Sequence, residues 1–124
     1  VTRTLLTLAL VLIPVLASAQ TPVVGTERVI WDQPGASLAA VQGYTYHSID
    51  GASAATILPG VTCSGTASPF LCGARLPALT TGGHSLAITA TVTLNGQVLS
   101  SAPSVPLSLL IIAVPAVPQN VRIG

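Results

Sequence analysis

Thr80–Val92, TTGGHSLAITATV, is the stretch on which the fold turns. From His84 onward the residues alternate. His84, Leu86, Ile88, Ala90, Val92 and Leu94 share one face, and Ser85, Ala87, Thr89, Thr91 and Thr93 share the other. That period of two is a half-buried strand, apolar inward and Thr-rich outward. Asn95-Gly96 follows at once, and this dipeptide favours the type I′ turn of a hairpin. The returning strand is QVLSSAPSVPLSLLII, Gln97 to Ile112. Pro103 and Pro106 remove ladder donors from it, so it is expected at an edge, with a bend or bulge.

Upstream the same signals recur. ERVIWDQ reads as a strand carrying Trp31, and VQGYTYHSI as another, with Tyr44 and Tyr46 on one face and Thr45 and His47 on the other. Asp50-Gly51 reads as the turn into ASAATILPGVTC, and FLCGARL as a short strand leading to the corner PALTTGG. Helical periodicity is weak throughout. About six or seven short strands, with turn signals every ten residues or so, predict an all-β antiparallel sandwich.

The first residues, VTRTLLTLALVLIPVLASAQ, read as a signal peptide over residues 1–19. Arg3 precedes an apolar run from Leu5 to Leu16, and Ala17-Ser18-Ala19 has the small-residue cleavage pattern. The run is shorter than the ~20 residues of a membrane span and contains Pro14. Residues 20–114 are then one domain, and 115–124 a Pro-rich tail. After Ala19 the charges are Arg28, Arg75 and Arg122 against Glu27, Asp32 and Asp50, with no Lys anywhere. So few cations argue against nucleic-acid binding, which neutralises several phosphates. A near-neutral surface favours association instead.

Cys63 and Cys72 enclose SGTASPFL, and in an exported chain such a pair reads as a disulfide. Closing so short a loop stabilises by roughly 2.5–3 kcal/mol on the chain-entropy view. A zinc site needs further ligands at finger-like spacing, and only His47 and His84 are at hand. No metal and no cofactor are expected. Catalysis is not expected either. His84 and its neighbour Ser85 point to opposite faces of a strand, so the histidine cannot take the serine's proton. A triad would need His47 beside Ser85 with an orienting acid, and Asp50 is already read as a turn residue. Glu27 and Asp32 are the only close carboxylate pair, too little for a glycosidase.

Taken in order, these segments resemble the fibronectin type III-like β-sandwich, in a secreted bacterial or phage-type variant, over roughly Val29 to Val114. VIWDQP is similar to the family's second strand, with its core Trp before a Pro. GYTYHSIDG is similar to the third, LPALTTGGHSLAITATV to the corner and sixth strand, and SSAPSVPLSL to the closing strand. The resemblance implies that Trp31, Tyr44 and Tyr46 are core residues. It also implies that His84 stands at the corner position, where the family usually has a Tyr bonded back to upstream backbone. Imidazole can do the same by donating to a carbonyl. Two departures matter. Only TPVVGT precedes the Trp strand, so the first strand is short or missing, while VPAVPQNVRIG resembles the opening strand of a following module.

These readings lead to a functional expectation. A sandwich without a full first strand exposes a sheet edge, which is a pairing site. The strand-like segment with Pro118, Asn120, Val121 and Ile123 could fill such an edge on another chain, or fold back on its own domain. The expected role is a non-catalytic, secreted, periplasmic or cell-surface module acting through protein–protein contact, as a structural or adhesion subunit, with self-association through the tail. The alternative is an accessory ligand- or carbohydrate-binding domain using the Ser64–Leu71 loop and the Asn95-Gly96 tip, where Phe70 is the one aromatic. The apolar stretch Val105–Pro118 is too short and Pro-rich to span a membrane, and reads as the closing strand plus linker.

Overall fold

The computed structural model describes residues 19–124; the signal-peptide reading falls on residues 1–18 and Ala19, and so lies almost wholly outside the described residues. The chain forms an all-β sandwich. Its strands are β1 (Thr21–Val23), β2 (Arg28–Gln33), β3 (Thr45–Asp50), β4 (Thr56–Ile57), β5 (Thr62–Ser64), β6 (Phe70–Arg75), β7 (Gly82–Leu94), β8 (Gln97–Ser100) and β9 (Leu107–Ile111). One short helix, α1 (Leu38–Gln42), lies between β2 and β3. The larger sheet runs β1-β9-β7-β3-β4, with β8 also on β7, and the smaller runs β2-β6-β5.

β7 is the spine of the larger sheet. Its inward residues Leu86 and Ile88 are buried, and so are the outward Ala87 and Thr89. The outward pair is covered because small side chains there stand in register with the larger Ile49 and His47 of β3. Asn95 and Gly96 take positive φ angles of 51° and 78°, so β8 returns through a two-residue turn, as the Asn-Gly pair predicts.

The return of the chain departs from expectation. Rather than one bent edge strand, Gln97–Ile112 divides into β8 and β9, and β9 lies inside the sheet between β7 and β1. The prolines force the division, because neither can donate to a ladder. Two serines repair the gap. Ser101 and Ser104 donate their backbone N–H groups to the carbonyls of Ala90 and Ile88. Their hydroxyl oxygens accept from the N–H groups of the same two residues, at 3.0 and 2.9 Å.

Two further segments differ from their expected extent. Val41 and Gln42 belong to α1, so the Tyr strand starts only at Thr45. Ser37 caps the helix by accepting from Ala40 N–H at 3.1 Å, and Val41 is fully buried. ASAATILPGVTC is not one strand: Pro59 and Gly60, the latter at φ 66°, break it into β4 on the larger sheet and β5 on the smaller. The first strand is short, and β1 pairs in parallel with β9 at Thr21–Val23.

The core joins Val29, Tyr46, Leu58, Cys72, Ala74, Leu86, Ile88 and Leu109. Cys63 and Cys72 are disulfide-bonded across directly opposed positions of β5 and β6. Tyr46 lies over this bridge, its hydroxyl 3.9 Å from each sulfur and donating to the Val41 carbonyl at 2.7 Å. Trp31 meets the Tyr46 ring edge-on at 5.3 Å, and Tyr44 does so at 6.3 Å. Burial pushes the Tyr46 phenol up to about 12, so it remains a donor throughout the physiological range.

Candidate functional site

Two places bring polar groups of different elements together or leave them open. The first is the corner before β7. His84 Nδ1 lies 2.5 Å from Asp50 Oδ2, and His84 Nε2 lies 2.6 Å from the Thr80 carbonyl oxygen. Asp50 also accepts from the Ser85 N–H through Oδ1 at 3.1 Å, and its own carbonyl accepts from Ser53 N–H in the turn. Asp50 is therefore both a turn residue and the partner of His84, a role that its turn position did not announce. The Asp50 carboxylate, followed by the Thr80 carbonyl, raises the His84 pKa. The His84 hydrogen bond, assisted by Ser85 N–H, lowers that of Asp50.

The Thr80 hydroxyl lies 3.5 Å from His84 Nε2, so carboxylate, imidazole and hydroxyl stand in the order of a catalytic triad. The shorter contact from the same nitrogen to the Thr80 carbonyl changes what this order can do. A carbonyl oxygen only accepts, so Nε2 carries its proton and is occupied as a donor. Facing acceptors on both sides, the ring is satisfied in full as the imidazolium. The arrangement ties the corner to the end of β3.

The second place is the edge of the smaller sheet. Among the described residues β2 pairs with β6 alone. The Leu76 N–H donates to the Glu27 carbonyl at 3.1 Å, which sets the phase of the ladder. In an antiparallel pair the bonded positions alternate, so Val29, Trp31 and Gln33 bond to β6. Arg28, Ile30 and Asp32 direct their N–H and C=O groups away from it, into solvent. Beside this edge the two sheets part. Trp31, Gln33 and Pro34 form one wall of a groove of about 310 Å³, and Ile88, Ala90 and Ala102 lie across it. A second hollow of about 280 Å³ continues it past Gln33 and Tyr44 to Val92 and Leu99.

The tail is the other unpaired element. Val117, Val121 and Ile123 are 79%, 88% and 100% exposed, and Pro118 and Asn120 are exposed with them. Among the described residues its one hydrogen bond runs from the Arg122 guanidinium to the Asn120 carbonyl, and the tail joins no sheet.

The remaining singled-out residues are placed as follows. Tyr46 is buried, whereas Trp31 and Tyr44 are partly buried against the core. His47 faces outward on β3 and is half-buried, its Nδ1 shielded without a hydrogen-bond partner. Phe70, the one aromatic of the loop considered for ligand binding, is 4% exposed, which leaves no ring there for a sugar to stack on. Among the described residues, no three His, Cys, Asp or Glu side chains converge as a metal site requires, and no helix is long and apolar enough to cross a membrane. The chain matches no protein-family model, no curated protein and no solved structure.

Proposed function

We propose that this chain is a non-catalytic, exported β-sandwich module that acts through protein–protein contact, as a structural or adhesion subunit, with the tail after Pro115 as its contacting element. The observation that carries this reading is the tail itself. Val117, Val121 and Ile123 hold their apolar side chains in water, from 79% to 100% exposed, on a segment that pairs with no strand among the described residues. Unpaired apolar strand is a pairing element, because association removes that surface from water and supplies ladder hydrogen bonds. The Cys63–Cys72 disulfide supports an oxidising compartment, whether extracellular, periplasmic or cell-surface. The fibronectin type III-like reading is supported by the Trp31 strand lying in the smaller sheet while the Tyr46 and His84 strands adjoin in the larger.

Light scattering on the oxidised chain and on the same chain ending at Pro115 tests the reading. The longer form is expected to gain mass with concentration while the shorter stays monomeric. Equal masses at every concentration would refute the tail as a self-contact, and capture of a heterologous protein by the longer form alone would retain it as a contact element.

A further inference from the structure

Resting on the reading of the tail as a contact element, we infer that the tail of one copy docks as an added strand along the free edge of β2 in a second copy, with Val121 and Ile123 entering the groove beside Trp31. One chain supplies both halves of the contact. The edge offers the N–H and C=O groups of Arg28, Ile30 and Asp32, spaced as a ladder and unbonded to any backbone partner among the described residues. The tail offers an alternating segment in which Val121 and Ile123 share one face and Asn120 and Arg122 the other.

Strand pairing then dictates which face goes where. Side chains opposite Trp31 point into the sandwich, towards Ile88, Ala90 and Ala102, and there Val121 and Ile123 replace water. Side chains opposite Ile30 and Asp32 point outward, which places Arg122 on the face of Asp32. Charge sets the register. Arg122 is the single charge of the tail, and Asp32 makes no ion pair among the described residues, while Arg28 repels it from the other end of the edge. Docking also extends Asn120, whose left-handed φ of 53° belongs to no strand. Edge and tail are different surfaces, so the contact is heterologous and repeats into open chains unless it closes into a ring.

Complementation between two variants tests this. Ile30→Pro removes one outward donor and leaves the β2–β6 bonds intact, while Val121→Asp with Ile123→Asp spoils the inward face of the tail. Each variant alone is expected to self-associate at least about tenfold more weakly than the parent. Mixed in equal amounts, they are expected to form one-to-one pairs, since one keeps its tail and the other its edge. If Ile30→Pro associates like the parent while the tail variant does not, the acceptor lies elsewhere: this inference fails and the tail reading stands. If neither variant alters the mass, this inference fails and the tail fails as a self-contact. Circular dichroism checks that Ile30→Pro is folded. Should it unfold, Asp32→Arg and Arg122→Asp take its place, each weakening association about three- to tenfold and the two together restoring it. Failure to restore overturns the proposed register and edge.

Discussion

Asp50 and His84, 34 positions apart in sequence, meet at 2.5 Å where the end of β3 faces the start of β7. The pair works with two backbone groups, Ser85 N–H on the carboxylate and Thr80 C=O on the imidazole. Together these contacts tie the end of β3 to the first residues of β7.

The linkage of this pair to pH has a definite sign. His84 is raised above its ordinary 6.5, so its contribution is complete below that value and is lost as pH rises through the higher folded pKa. Asp50 is lowered below 3.8, so its contribution is complete above that value and is lost as pH falls through the lower folded pKa. Both are therefore present together between 3.8 and 6.5. The melting temperature of the parent, less that of His84→Gln, is expected to be largest near pH 5 to 6 and to shrink above neutrality. A difference that stays flat with pH would show that the pair carries no linkage.

Breaking the bridge between β5 and β6 tests the staple. A Cys63→Ser, Cys72→Ser double variant should lose roughly 2.5–3 kcal/mol, a fall of about 10–20 °C in Tm for a domain this size. Thermal melts with and without reductant check this, and the double variant should be insensitive to reductant.

Tyr46→Phe keeps the ring against Trp31 and removes the hydroxyl that holds α1 through the Val41 carbonyl. A loss of about 1–2 kcal/mol is expected in urea unfolding, since a buried acceptor loses its better donor. No loss would mean that the Tyr44 N–H, already 3.4 Å from that carbonyl, satisfies it alone.

Ser104→Ala probes the repaired ladder. It strips the Ile88 N–H of its acceptor inside the sheet, at an expected cost of about 1–2 kcal/mol. Hydrogen exchange should quicken at Ile88 while Ala90, served by Ser101, stays protected.

What the sequence discloses follows the range of the interaction. Strand alternation and the Asn95-Gly96 turn are local, so β7 and the hairpin to β8 are legible from a dozen residues. The cysteine pair is legible from its short spacing alone. The single turn of α1 has too few residues to show a period, and its signals were the Ser37 cap and Gly43 at the far end. That Pro59-Gly60 moves the chain from one sheet to the other, or that β9 lies inside a sheet, depends on which strands meet in space. The Asp50–His84 pair is hidden for the same reason, because a turn aspartate looks alike whether or not its carboxylate is engaged. Of the contact element, the alternation in the tail is legible. The outward phase of Arg28, Ile30 and Asp32 requires the ladder to β6.

Amide hydrogen exchange at rising protein concentration reports on the docked strand itself. The N–H groups of Ile30 and Asp32, and alternate N–H groups along residues 120–123, are expected to exchange freely in dilute solution and to gain protection together as concentration rises. Tail amides that are protected equally at every concentration, or that stay unprotected while the protein associates, would contradict the docking.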